Sequence, residues 1–498
     1  MPYTNIIIVL LALAASAAFP PFNLHALILV IIAPLLVWIR RSASVKQALG
    51  YGLLFGVVYI ATLHFWMMSL QTFVPLWTIT LTWLAYSVYL GLFFGATFAV
   101  IRWLPDKVPL WLSAPAAWTL FEYIRTLGPI GNPAGDVGYA VLNLQPLPLV
   151  GALGGIFLVS YLVITINALV ADIVLKNWTG KLITCFLTFI IAGFWLSTGQ
   201  LIRYHTLRNA PDDPIQMVLI QGNHPQMDKF NPILWAKIKQ DYLTLTTNAP
   251  SADVVVWPET ITPTLNDEDA TFGERIRHLA IQRKSAIVWG TPFRKKSLFY
   301  NAIVGVNCDG NTLEPYLKNQ LMPFGEYWPG RSVLTQIGLK QILGTDYSHG
   351  QETRPLAASD SIKIGSVICL ESMYPAPLRK ATQEGATVLV VVANNAWFTH
   401  SSAAENHLEM SQMRAIENGR WLGLAANTGR TAFIDPLGNI TQTLPPDEQG
   451  TLVGRVTLNR TKTAYTTHGN WIITLSVVIL CVGTTIKLYQ RYKPTRVN

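Results

Sequence analysis

The chain is poor in charge. Of its 498 residues, only 13% are Asp, Glu, Lys or Arg, about half of the ~25% usual in a soluble globular protein. The deficit is local. It falls in roughly the first 200 residues, whereas the stretch from about 210 to 460 is polar. Cysteine is scarce as well. Cys185, Cys308, Cys369 and Cys481 show no CxxC or metal-type spacing, which excludes a zinc-ribbon or disulfide-framework domain, and nothing supports a Cys308–Cys369 bridge. The nine histidines form no HExxH or HxxxH pair, so a zinc hydrolase is excluded. A GxSxG elbow is missing, which excludes a serine hydrolase of that design. The net charge is +9, yet the polar stretch has no Lys/Arg cluster with interleaved aromatics. Nucleic acid is therefore not an expected partner.

What the chain has in abundance is apolar sequence, at 51%. At this length two domains are expected. Eight apolar runs approach the roughly 20 residues that cross a bilayer: about 4–19, 24–39, 50–69, 75–101, 109–126, 146–174, 181–201 and 470–488. The first two are short and joined by Phe19-Pro20-Pro21-Phe22, as in a helical hairpin. Ala14-Ala15-Ser16-Ala17-Ala18 resembles a signal-peptide cleavage site, but no basic n-region precedes it and further spans follow, so the run reads as retained. Arg40, Arg41 and Lys46 follow the second run and Arg102 and Lys107 the fourth. Lys176 and Lys181 flank the sixth-to-seventh turn, and Lys487, Arg491, Lys493 and Arg496 form the tail. The intervening connectors lack Lys and Arg apart from Arg125. The positive-inside rule then puts both termini in the cytoplasm and the polar domain on the opposite face, in a bacterium the periplasm. The expected layout is a membrane domain over 1–205 with about seven spans, a catalytic domain over 212–460, a last span over 468–490 and a cytoplasmic tail over 491–498.

Two features of the membrane part stand out. Glu122 and Arg125, three apart at the end of the fifth run, are either an interfacial ion pair or a contact to a lipid headgroup. The Gly- and Pro-rich stretch Gly128 to Gly138 is expected as a mobile lid.

In the polar domain, short Val/Ile/Leu runs alternate with helical stretches. The runs are Gln216–Ile220, Asp253–Trp257, Ala286–Trp289, Ala302–Val306, Ile364–Cys369, Thr387–Ala393, Leu422–Ala426 and Thr431–Ile434. Helices are expected at about Pro232–Thr247, Gly273–Arg283 and Ala404–Gly419. Continuous apolar strands of this kind are buried on both faces, so the expected fold is α/β, with helices covering a mixed sheet. Ligands in such folds sit beyond strand C-termini, where Glu259 and Cys369 fall. A thiol with a free pKa near ~8.5 is a poor nucleophile at neutral pH. Glu259 can act as its general base, and Lys318 can stabilise the oxyanion formed on acyl attack. Cys369 would carry the acyl group as a thioester. This triad calls for no metal or organic cofactor.

Trp257-Pro258-Glu259-Thr260, Tyr316 through Glu326 and Ile368-Cys369-Leu370-Glu371-Ser372, in this order, resemble the Glu, Lys and Cys motifs of the nitrilase superfamily. Asn394 through Phe398 and His407 through Arg420 match its later segments. With the apolar flanks, the likeness is to a membrane-embedded acyltransferase branch of that superfamily. The resemblance implies an α-β-β-α sandwich beside a multi-pass α-helical membrane domain in the bacterial inner membrane. It implies a ping-pong reaction in which Cys369 takes the sn-1 acyl chain of a phospholipid, phosphatidylethanolamine, and passes it to the α-amine of the diacylglyceryl-cysteine of an apolipoprotein, the last step of lipoprotein maturation. It assigns Glu259 as base, Lys318 as oxyanion stabiliser and Cys369 as nucleophile. Glu326 would position Lys318, and Glu371 would be a further carboxylate near the nucleophile.

The branch often has Tyr where Leu370 stands and Trp where Phe230 stands, and its loop near Gly128 differs. These departures bear on donor preference, so Phe230, Leu370 and Trp397 are candidate substrate contacts. The segment Trp328 to Asp346 is either a packed surface helix or an amphipathic arm entering the bilayer through Leu339 and Ile342. The expected partners are phospholipid donor, diacylated apolipoprotein acceptor and membrane lipid, and the expected state is a monomer. The alternatives are a membrane-tethered amidase and a catalytically inactive lipoprotein-binding module.

Overall fold

The structure is a computed structural model that describes residues 2–265, 267–336, 346–398 and 401–492. It divides into two compact units. The first comprises Met1–Leu127, Gly131–Tyr204 and His468–Asn498, and the second Gly128–Ile130 and His205–Thr467.

The first unit is helical. Among the described residues, five of its helices are long and apolar enough to cross a membrane: Val45–Leu63, Leu76–Trp103, Leu147–Leu175, Trp178–Arg208 and Trp471–Tyr492. Phe186, Phe189 and Phe194 of the fourth stand 64–78% exposed, a display that a water-facing surface rarely carries but a lipid-facing one does. The other three expected runs are helical but shorter. Tyr3–Ser16 is a short apolar helix, and Leu110–Arg125 has 16 residues.

The run at 24–39 is broken into a 3₁₀ turn, His25–Leu29, and a helix, Ala33–Arg41. The break is satisfied from within the unit. The buried Asn167 accepts from the N–H of Ile32 at 2.9 Å and of Ala33 at 3.0 Å. Its amide donates to the carbonyls of Ile28 at 2.8 Å and Val163 at 2.9 Å. Backbone freed from helical bonding at membrane depth needs such partners.

Helices Val45–Leu63 and Leu76–Trp103 pack closely. A Cβ at Gly56 would lie 2.7 Å from the Cβ of Phe94, and one at Gly52 2.6 Å from the Phe94 carbonyl. Gly91 and Gly95 repeat the spacing on the partner helix, the small-xxx-small pattern of close membrane-helix contacts.

Glu122 and Arg125 are not an interfacial pair. Both are buried, and Arg125 pairs with Asp136 at 2.5 Å, while Glu122 accepts from Trp118 Nε1 at 2.8 Å and from Val137 N–H at 2.9 Å. The same bonds tie down much of the stretch expected as a lid. Tyr59 donates to the Gly135 carbonyl at 2.9 Å, and Asn132 meets His64 at 3.0 Å. A buried charge without a partner is costly, and pairing with Asp136 offsets part of that cost for Arg125.

The second unit is a sandwich of two six-stranded sheets flanked by helices. In chain order its strands are β1 (Pro214–Gln221), β2 (Val254–Val256), β3 (Ala286–Lys295), β4 (Leu298–Val306), β5 (Tyr316–Leu317), β6 (Leu356–Ala357), β7 (Lys363–Ile368), β8 (Val388–Ala393), β9 (Leu422–Ala426), β10 (Ala432–Ile434), β11 (Ile440–Thr443) and β12 (Gly450–Thr457). One sheet runs β12-β1-β2-β3-β4-β5 and the other β11-β10-β9-β8-β7-β6. Within them β1-β2-β3 and β7-β8-β9 are parallel.

The two-residue period of a strand divides β1 between two cores. Met217 and Leu219 join the core between the sheets with Val254, Val256, Val390, Val392 and Leu424. Val218 and Ile220 pack outward with Ile238 and Tyr242 of helix Trp235–Asn248 and with Ile276 of helix Ala270–Arg283. The sheets approach closely at Gly423, where a Cβ would lie 3.0 Å from Leu219. Helices Pro375–Gln383 and Ala403–Asn418 cover the second sheet through Leu378, Ala381, Leu408 and Ala415.

Candidate active site

Glu259 lies three residues past the C-terminal end of β2. Trp257 holds this exit. It is fully buried, stacks on Tyr242 with centroids 5.4 Å apart, and donates through Nε1 to Thr246 at 2.9 Å, which satisfies the one polar atom of an otherwise apolar ring. The Glu259 carboxylate accepts from the N–H of Asn394, just past β8, at 3.0 Å and from Asn301 Nδ2 on β4 at 2.8 Å.

Lys318 follows β5, and its N–H donates to the Asn301 carbonyl at 2.9 Å. Its side chain is 2% exposed. The ammonium lies 2.9 Å from Glu326 and 3.5 Å from Glu259. Burial opposes its charge, but Glu326 and then Glu259 outweigh burial and hold the group well above the ordinary lysine range. Asn301 also donates to Glu326 at 2.7 Å, so a single amide spaces the two carboxylates around one cation.

Cys369 begins the turn after β7 with φ +54°. That left-handed conformation is uncommon for a residue with a Cβ and marks a position fixed by its surroundings. The sulfur stands within electrostatic reach of Glu259 and Lys318. Burial, with Glu259 adding to it, pushes the thiol up, so it rests protonated. Attack on an acyl carbonyl then requires its proton to leave as the bond forms, and Glu259 is the nearby acceptor.

Glu371 ties the thiol turn to the lysine loop. It is fully buried and accepts from the N–H groups of Asn319 at 2.7 Å, Gln320 at 2.9 Å and Ile368 at 2.9 Å, and from the Tyr316 hydroxyl at 2.9 Å. Burial raises its pKa to about 7, against the pull of Lys318 and these N–H donors. His407 also lies within electrostatic reach of Lys318. Burial lowers its pKa to about 4, so it is neutral near the cation.

The structure thus brings Glu259, Lys318, Cys369, Glu326 and Glu371 together. Phe230 and Trp397 meet edge-on with centroids 5.8 Å apart, and Phe230 is 52% exposed. Leu370 is partly buried and packs against the apolar core of this unit. Leu339 and Ile342 lie outside the described residues. Sequence reasoning missed Asn301 and the Asn394 N–H. An Asn inside the apolar run of β4 is a signal for the first, whereas a backbone donor leaves none. All four cysteines are unpaired, and among the described residues no group of three or more His, Cys, Asp or Glu is arranged to hold a metal ion.

A two-sheet sandwich with this acid–lysine–thiol cluster beyond its strand ends defines a nitrilase-superfamily domain. Residues 224–465 match the carbon-nitrogen hydrolase family, and residues 11–169 match the apolipoprotein N-acyltransferase N-terminal domain. The apolipoprotein N-acyltransferase of Pseudomonas putida is 32% identical over 488 residues, covering 95% of both chains. That of Photobacterium profundum is 30% identical over 474 residues, covering 92% of this chain and 90% of its own. The chain belongs to the apolipoprotein N-acyltransferase family. A solved carbon-nitrogen hydrolase from Helicobacter pylori aligns with a TM-score of 0.41 at 16% identity, covering 52% of this chain and 94% of that one.

Proposed function

We propose that the protein transfers the sn-1 acyl chain of a phospholipid, such as phosphatidylethanolamine, to the N-terminal α-amine of a diacylglyceryl-cysteine on an apolipoprotein, completing lipoprotein maturation. The reaction runs in two halves through Cys369. Glu259 takes the thiol proton as the sulfur attacks the ester carbonyl, and Lys318 stabilises the oxyanion. Collapse of the tetrahedral intermediate expels the lysophospholipid alkoxide, which takes a proton from the Glu259 acid. The incoming amine attacks the thioester, Glu259 accepts its proton, and Cys369 leaves as a thiolate that takes that proton back from Glu259. Glu326 holds Lys318, and Glu371 holds the loop that carries it. The catalytic domain faces the periplasm, both termini lie in the cytoplasm, and the chain works as a monomer.

The observation that carries this reading is the shared Lys318 cation between Glu259 and Glu326, set against a thiol in a left-handed turn. Its test is transfer to a synthetic diacylated lipopeptide with a free N-terminus. The purified protein and phosphatidylethanolamine should add one acyl mass to the amine and none to an N-acetylated control. Release of free fatty acid with no lipopeptide product would point instead to a hydrolase.

A further inference from the structure

Beside Glu259 lies a buried cation that the mechanism above does not use. Lys229 ends the helical turn Gln226–Lys229 that follows β1, and it is 2% exposed, a burial rare for lysine. Its ammonium reaches the main-chain carbonyl of Glu259 at 3.4 Å. Among the described residues no carboxylate forms an ion pair with it. The carbonyl it holds precedes Thr260, whose φ of +44° is costly for a β-branched residue. From the other side β3 crowds the same peptide, since a Cβ at Gly290 would lie 2.5 Å from the Glu259 Cα. Neighbours of Lys229 converge on this site. Gln226 accepts from the Asn394 side chain at 2.8 Å, and Asn394 in turn donates to the Glu259 carboxylate. Trp235 anchors the Lys229 carbonyl at 2.8 Å.

We infer that Lys229 is a positioning residue for acyl transfer: as an ammonium it fixes the Glu259–Thr260 turn and places a second positive charge near the Glu259 carboxylate, aiming that base at Cys369. This rests on the reading of Glu259 as the base. The charge acts electrostatically in a site from which water is largely excluded, where such effects are strong. The charged or titratable groups facing Lys229 are Glu259 and His224. Burial lowers the Lys229 pKa to about 7, against the pull of Glu259. The charge is therefore lost as pH rises through neutrality, and thioester formation should slow with it.

The test uses the full-length protein in detergent with dioleoyl phosphatidylethanolamine and no acceptor. The rate of acyl-thioester formation at Cys369 is followed from about pH 6 to about pH 9. Wild type should slow as pH rises through about 7. Lys229→Met should be slower at low pH by about 10- to 100-fold and flat across that window. Lys229→Arg, charged throughout, should keep the acid-side rate within about tenfold and lose the alkaline fall. A Lys229→Met protein as fast as wild type, or slower with the wild-type pH profile, would overturn the inference. So would an alkaline fall that persists in Lys229→Arg, which serves equally if Lys229→Met does not fold. A wild type that forms no thioester would instead remove the reading of Cys369 and Glu259 on which the inference stands.

Discussion

Glu326 holds the Lys318 ammonium at 2.9 Å, closer than Glu259 does at 3.5 Å. The carboxylate outside the expected triad is thus the stronger electrostatic partner of the triad cation, and it leaves Glu259 free to exchange a proton. Replacing Glu326 with Gln preserves shape but removes the carboxylate that does most to offset the burial of Lys318. Thioester formation should fall about 100-fold at saturating lipid, with phospholipid binding unchanged. Single-turnover kinetics beside a lipid-binding isotherm separate the two. A wild-type rate would show that Lys318 needs no second carboxylate.

Glu371 links two segments through one carboxylate. Gln in its place would set an NH₂ donor against N–H groups that now donate to it. The expected cost is about 2–4 kcal/mol of stability, seen as a lower melting temperature in detergent. Thioester formation should fall with it, because the Lys318 loop and the Cys369 turn lose their shared anchor. An unchanged melting temperature would mean that these N–H groups find other partners.

Lys229 should cost stability while serving the site. Its pKa falls from 10.5 to about 7 on folding. Below about 7 both states hold the proton, and the folded state bears the full cost of a buried ammonium. Between about 7 and 10.5 the unfolded chain binds more protons, so this cost fades as pH rises. Lys229→Met should therefore raise the melting temperature most below pH 7, by the equivalent of at most about 5 kcal/mol, with the gain shrinking toward pH 10. A gain that grows with pH would contradict the sign. A stabilising change that slows the enzyme is the usual trade at a functional position.

In the helical unit, Asn167→Leu removes two acceptor contacts and one donor contact to the broken segment at residues 28–33. Each buried group left unpaired costs about 1–3 kcal/mol. The variant should show a clear loss of melting temperature in detergent, whereas Leu substitution at the exposed Thr82 should not. Equal behaviour of the two would imply that the broken segment is satisfied without Asn167.

Much of this was legible in the sequence. The eight strand-like runs of the polar domain correspond to β1–β4 and β7–β10, because continuous Val/Ile/Leu stretches have few alternatives to a doubly covered sheet. The two-residue strands β5 and β6 carry too little pattern to see, and β11 is exposed throughout. Glu259, Lys318 and Cys369 were legible as chemistry, but their partners less so. Asn301 is an ordinary polar residue until the fold sets it between two carboxylates, and Lys229 reads as surface charge until its burial is known. In the helical unit, hydropathy marks apolar runs but not their continuity. The break at residues 30–32 depends on Asn167, more than 130 positions away. The pairing of Arg125 with Asp136, eleven residues on, likewise depends on how the chain turns between them.

The most direct test of the central claim is mass spectrometry of the Cys369 peptide after incubation with phosphatidylethanolamine and no acceptor. The account predicts a hydroxylamine-labile acyl mass on Cys369, absent in Glu259→Gln. An unmodified Cys369 in protein shown to be folded, or an equal yield in Glu259→Gln, would contradict it.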